Sequence, residues 1–276
     1  MLRHIGIVSQ SKKLKSSDVA ATAAAIQKQV SRDFGPIWQI DATVSYFEKL
    51  TDIPLGYWPV IIKDNINQQG AGGVHLDDNK QPYALVQAES YWQMATSHET
   101  LEMLADPAGN RLMTGTSPKK GEGRVQFLVE VCDPSEAVAF GYHVNGILLS
   151  DFYTPHYFDP SVTAGTHYSF TGAITQPRQV LKGGYLSWFD PITKHWLQEQ
   201  YFGSKPTISD LGALNIADTI RGTFDRLRGE PPWHGQKAPK DPGTKAAQLA
   251  SKSIGKALER SIARWGSDLH LARSST

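Results

Sequence analysis

The chain has 276 residues, with 28 Lys+Arg against 27 Asp+Glu and a formal net charge of +1. Forty per cent hydrophobic and ten per cent aromatic residues exclude a disordered chain, and the even charge balance excludes a global basic field for nucleic acid. The single cysteine, Cys132, excludes an intramolecular disulfide and a zinc site built from cysteines. The first residues turn polar without a secretory core, and no apolar run approaches the roughly 20 residues of a membrane span. A cytoplasmic protein is therefore expected.

In chain order, 5–9 read as a first strand. A helical stretch follows, with Ser17 or Asp18 as N-cap and Ala21, Ala24, Ala25, Ile26, Val30 and Phe34 as apolar positions, stopped by Gly35-Pro36. Strands are expected over 40–47, where Ile40, Ala42, Val44 and Tyr46 alternate with more polar neighbours, and over 57–66. Gly70-Ala71-Gly72-Gly73 breaks the pattern, His75 reads as part of a surface loop, and a strand follows over 83–88. The longest helix of the first half is expected over 89–105, ended by Asp106-Pro107 and Gly109-Asn110.

Beyond it, 114–123 reads as a surface loop and 125–131 as an apolar strand closed by Asp133-Pro134. Residues 142–168 are aromatic and turn-rich without a clear period. The runs 185–189 and 195–201 flank Asp190-Pro191-Ile192-Thr193-Lys194 as a hairpin. A helix is expected over 209–228, with Leu211, Ile216, Ile220, Phe224 and Leu227 on its apolar side. From 229 the composition changes: residues 231–276 carry eight Lys/Arg against three acids, behind a Pro- and Gly-rich stretch at 230–242. The expected organisation is an α+β domain over 1–229, with subdomains 1–110 and 111–229. A basic linker and tail follow at 230–276, with one amphipathic helix through Leu249, Ile254, Leu258, Ile262 and Trp265.

The chemistry concentrates in Ser97-His98-Glu99-Thr100-Leu101-Glu102. On a helix, His98 and Glu102 share a face about 5–6 Å apart at Cβ, close enough to hold one metal ion. His/carboxylate is an acceptable zinc pair and tolerates other divalent first-row metals. Trp92, Met94, Ala95, Leu101, Met103, Leu104 and Ala105 make the helix apolar nearly all round, so it is expected to be buried. Three ionisable groups in such a helix call for a cation among them. In zinc peptidases the residue after the first histidine is the general base for a metal-activated water, and that residue here is Glu99.

The order of elements from 5 to 109 resembles the N-terminal half of the zincin-type metallopeptidases, with 83–88 in the position of the cleft-lining edge strand. His98-Glu99-x-x-Glu102, then Asp106-Pro107, then Glu130-Val131-x-Asp133 is similar to the motif pair of the EXORDIUM-type proteins of plants and of zincin-like bacterial proteins. The resemblance implies a mixed sheet with an active-site helix, followed by an irregular aromatic-rich C-terminal subdomain. It departs from ordinary peptidases at Glu102, where the second histidine would stand.

Glu130 is the first candidate for a third metal ligand, and Asp133 is expected to hydrogen-bond the free nitrogen of His98. Asp106 is a rival ligand, but three ligands at i, i+4 and i+8 span about 12 Å, so a turn cap is the expected role. Tyr142, His143, Tyr153, His156, Tyr157 and His167 are candidates for holding an oxyanion. The expected function is a zinc-dependent hydrolase, most naturally a peptidase acting on a peptide or protein, with zinc on His98, Glu102 and Glu130. The competing expectation is an inactive zincin-like binding or assembly protein, phage-associated in kind, whose basic tail docks on an acidic partner.

Overall fold

The computed structural model describes residues 2–68, 72–78, 80–214, 216 and 220–227, all within one compact unit. The expected linker and tail at 230–276 lie outside the described residues. The fold is α+β, built on two five-stranded sheets and a short hairpin.

Strand β1 (Arg3–Ser9) is buried from Ile5 to Val8, the continuous apolar run of an interior parallel strand. It pairs in parallel with β2 (Ala42–Phe47) on one side and β3 (Tyr57–Lys63) on the other. Two further strands follow, β4 (Gly73–Asp78) and β5 (Gln81–Gln87). β3 pairs in parallel with β5, and β4 closes the sheet antiparallel to β5, giving the order β2-β1-β3-β5-β4. The edge is therefore β4, and the strand at 83–88 expected there lies one place inward. His75 belongs to that edge strand rather than to a surface loop. Its ring is fully buried.

Helix α1 (Ser16–Lys28) runs on through a π-helical stretch, Gln29–Phe34, into a short α2 (Gly35–Trp38). Gly35-Pro36 does not stop the helix: Pro36 falls where the chain passes from the π-helical to the α-helical pattern.

Helix α3 (Trp92–Ala105) packs on β4 and β5 and is buried along its whole length, Gln93 excepted. Its polar side chains are therefore obliged to find partners. Thr96 and Thr100 donate to the carbonyls of Trp92 and Thr96, at 2.7 and 2.6 Å. Ser97 donates to Gln29 Oε1 at 2.7 Å. Gln29 is itself fully buried and donates to the Ser150 carbonyl and the Tyr142 hydroxyl. At the C-terminal end of α3, Arg3 and Arg111 donate to the carbonyls of Leu104 and Ala105, which also sets two cations at the negative end of the helix.

The second sheet follows α3. β6 (Leu112–Thr116) occupies the start of the expected loop at 114–123, and β7 (Arg124–Leu128) takes the first part of the strand expected over 125–131, leaving Glu130 beyond the strand. The hairpin β8 (Tyr142–Val144) and β9 (Ile147–Leu149) turns at Asn145-Gly146, both at positive φ as a tight two-residue turn demands. β10 (Tyr185–Asp190), β11 (His195–Gln200) and β12 (Thr207–Gly212) complete an antiparallel sheet of order β12-β11-β10-β7-β6. Helix α4 (Ile220–Leu227) follows. The helix expected over 209–228 is thus a strand at its start. Gly212, at φ +72°, ends β12, and among the described residues of that stretch the helix is Ile220–Leu227. One apolar core joins Ile5, Val60 and Val86 of the first sheet to Phe127 and Trp188 of the second, with Leu101, Met103 and Leu104 between them.

Candidate metal centre

Helix α3 contributes His98, Glu99 and Glu102, exposed by 3, 2 and 0 %. The segment after β7 contributes Glu130, Cys132 and Asp133, and β4 contributes His75, all buried. The sharp turn at 130–133 is held by the backbone N–H of Ser135 on the Cys132 carbonyl and of Tyr153 on the Val131 carbonyl. Gly184 passes so close that a Cβ there would fall 2.6 Å from the carbonyl oxygens of Asp133 and Pro134.

His98 Nε2 lies 3.2 Å from Glu102 Oε2 and 3.2 Å from Asp133 Oδ1. A protonated Nε2 carries one hydrogen and satisfies one acceptor well, yet two carboxylates converge on it. Asp133 Oδ1 has no hydrogen-bond partner, and neither does His98 Nδ1. Two donor atoms about 2.0–2.1 Å from one tetrahedral zinc lie about 3.3 Å apart, so each of these two separations is that of a pair of ligands on one ion. Asp133, expected at the other ring nitrogen, instead shares Nε2 with Glu102.

Glu102 is the hub. Its Oε1 accepts the Cys132 backbone N–H at 3.1 Å, and its Oε2 faces His98 and, at 2.7 Å, Arg221 Nη1. Arg221 also pairs with Glu130 and, at 3.4 Å, with Asp133 Oδ2. Glu130 falls in a triad with Glu102 and Asp133 rather than with His98 and Glu102 as expected from the sequence, and its Oε2 is held by Arg221.

Charge accounts for the electrostatics. Burial works against charge on His98, yet Glu102 and Asp133 raise its pKa well above the usual histidine value. Burial also works against ionised Glu102, and His98 and Arg221 outweigh it, holding that carboxyl well below the usual range. Glu130 goes the other way: burial and the charges of Glu102, Asp133 and Asp106 outweigh Arg221 and push it well up. Five buried carboxyl groups, Glu99, Glu102, Glu130, Asp133 and Glu136, stand in these metal-competent groups. Arg221 is the one buried Lys or Arg among the described residues, so a divalent cation fits the donor set.

Glu99 lies on the β4 side of the cluster. A Cβ on Gly73 would fall 2.6 Å from Glu99 Cγ and 2.8 Å from Oε1, so only glycine lets the strand pass this carboxylate. Asp106 stands apart from the ligands, its Oδ2 accepting the Arg111 backbone N–H at 2.6 Å, the expected turn cap. Cys132 is placed within reach of His98 and Glu102, but its thiol faces the His98 carbonyl, and burial pushes its pKa well up.

Among the aromatic candidates, Tyr153 is fully buried and its hydroxyl has no hydrogen-bond partner. Burial, then Tyr157 and the charges of Glu130, Glu102 and Asp133, push its pKa well up, which sets it beside the cluster. Tyr157 donates to Gln179 O and Tyr142 to Asp33. His156 and His167 line a surface cleft of about 450 Å³ with Thr154. His143 is half-buried on β8.

Arg221 escaped the sequence reading as a site residue, and His75, which the sequence offers as a ligand with Asp77, is set aside there in favour of a surface loop. The signal for Arg221 was available: a charge at the second position of an amphipathic segment that carries Ile220 and Phe224. No protein-family model, curated protein or solved structure matches this chain. Among the described residues no helix is long and apolar enough to cross a membrane.

Proposed function

We propose that the protein is a zincin-like, zinc-dependent hydrolase of the cytoplasm, acting on peptide bonds of a peptide or protein substrate. The observation that carries this is the convergence of Glu102 Oε2 and Asp133 Oδ1 on His98 Nε2, each at 3.2 Å, within a cluster of buried carboxylates. The sheet order β2-β1-β3-β5-β4, with an antiparallel edge beside a helix bearing His98-Glu99, supports the zincin comparison.

His98, Glu102 and Asp133 would hold the ion, with Glu130 tied to Arg221 at their side. Bound zinc, or another divalent first-row ion, lowers the pKa of water toward neutrality and polarises a carbonyl. Glu99, aligned by the bare backbone of Gly73, takes the proton from the attacking water at Oε2 and returns it to the leaving amine. Tyr153, with its hydroxyl unspent, donates to the oxyanion as it develops. Arg221 pairs with the carboxyl groups that the ion would not hold, and with His98 it keeps Glu102 ionised for binding. The basic tail docks on an acidic partner.

Arg221 also favours a second reading, an inactive binding protein in which the guanidinium replaces the ion. Elemental analysis of the purified chain separates the two. The hydrolase reading expects a stoichiometric divalent metal, lost in His98→Ala, and hydrolysis of a mixed peptide library that vanishes in Glu99→Gln. A folded, metal-free wild-type chain supports the arginine reading instead, and metal without hydrolysis supports a binding role. Asp133→Asn should weaken metal affinity by orders of magnitude and more than Glu130→Gln. The reverse order would return the third ligand to Glu130.

A further inference from the structure

His75 enters the cluster from β4, opposite the segment that brings Asp133. Its Nδ1 lies 3.5 Å from Glu99 Oε2 and 3.8 Å from Glu102 Oε2. The ring is fully buried, and neither nitrogen has a hydrogen-bond partner. A buried imidazole ordinarily spends its N–H on an acceptor and its lone pair on a donor, and His75 spends neither. Glu99 Oε2, the atom nearest to it, is also without a hydrogen bond. The triad His75, Glu99, Glu102 shares only Glu102 with the groups that meet at His98 Nε2.

We propose that His75, Glu99 and Glu102 form a second, weaker position for a divalent first-row cation, bridged to the first through Glu102. This inference rests on the metal site proposed above. One imidazole and two carboxylates are an ordinary donor set for zinc or manganese. Paired ions about 3.5–4 Å apart are an established arrangement when protein groups bridge them. The second position is the weaker one because its ion enters beside an existing dication and shares a carboxylate that Arg221 already contacts. Occupation has a chemical consequence. A Glu99 oxygen donating to a cation cannot accept a proton, so excess metal switches off the base.

The test is equilibrium dialysis of the full chain against rising zinc, with ions per chain counted by elemental analysis. The wild type should pass through a plateau at one ion and reach two. His75→Asn should keep the first and lose the second. Saturation of the wild type at one ion, or a second ion persisting in His75→Asn, overturns the proposal and leaves the first site standing. A wild type that binds no zinc overturns the first site, and this one with it. Manganese EPR of the wild type needs no variant: two equivalents should give a spin-coupled spectrum, and a spectrum of isolated ions overturns the bridge.

Discussion

Glu130 and Gly73 illustrate two ways in which a single residue governs this cluster. Glu130 has a folded pKa raised above its unfolded value, by burial first and by Glu102 and Asp133 after it. Such a group contributes stability that is fully present below the unfolded pKa and lost as pH rises through the folded one. Glu102, with a lowered pKa, does the reverse, losing its contribution as pH falls through the folded value. In chelator, Glu130→Gln should therefore gain stability relative to the wild type as pH rises above the ordinary glutamate range. Urea midpoints across that rise check it, and a difference that stays constant with pH would show that Glu130 is not ionising against its surroundings. At Gly73 the constraint is space. Gly73→Ala places a Cβ against Glu99 and displaces the carboxylate, which should lower peptide hydrolysis about 10²-fold with metal content unchanged. Retained activity would mean that Glu99 moves without consequence.

The elements divide by how much of their environment is local. Helix α3 was legible because Trp92, Met94, Leu101, Met103 and Leu104 announce burial while His98, Glu99 and Glu102 announce charge, all within one run. The β7 run was legible for the same reason. Strand β4 was not, since its six residues follow a glycine-rich stretch and end in Asp77-Asp78, a composition that reads as a loop. Its strand state comes from pairing with β5, and only that pairing turns His75 inward beside Glu99. The spacing of Leu211, Ile216, Ile220 and Phe224 imitated one helix across β12 and α4, because apolar periodicity says nothing about the break at Gly212. The junction of α3 with the π-helical stretch is also non-local. Gln29 there meets Ser97, Ser150 and Tyr142, and removing its amide leaves buried partners unsatisfied. Gln29→Ala should cost about 2 kcal/mol or more in chemical unfolding, from roughly 1–3 kcal/mol per orphaned group. A loss under about 0.5 kcal/mol would mean that the partners rebond elsewhere.

At the scale of the molecule, the groups that could hold a metal come from both sheets' neighbourhoods. His98 and Glu102 stand on the helix against β4 and β5, whereas Glu130 and Asp133 follow β7 of the second sheet. An ion held between them ties the two sheets through the same core that already joins Val60 to Trp188. Binding to the folded state alone stabilises by about 2.7 kcal/mol at a free metal concentration 100 times the Kd. For a domain of this size, each kcal/mol moves the Tm by roughly 2–4 °C. Zinc should therefore raise the Tm by about 5–10 °C over chelator, in one transition. Hydrogen exchange distinguishes a shared effect from a local one: amides of β3 and of β10 should gain protection together on adding zinc, because the opening that releases the ion is the opening of the whole core. If zinc protects β10 and leaves β3 unchanged, the ion is held by the segment after β7 alone. His98 is then a bystander, and the helix-borne site fails with it.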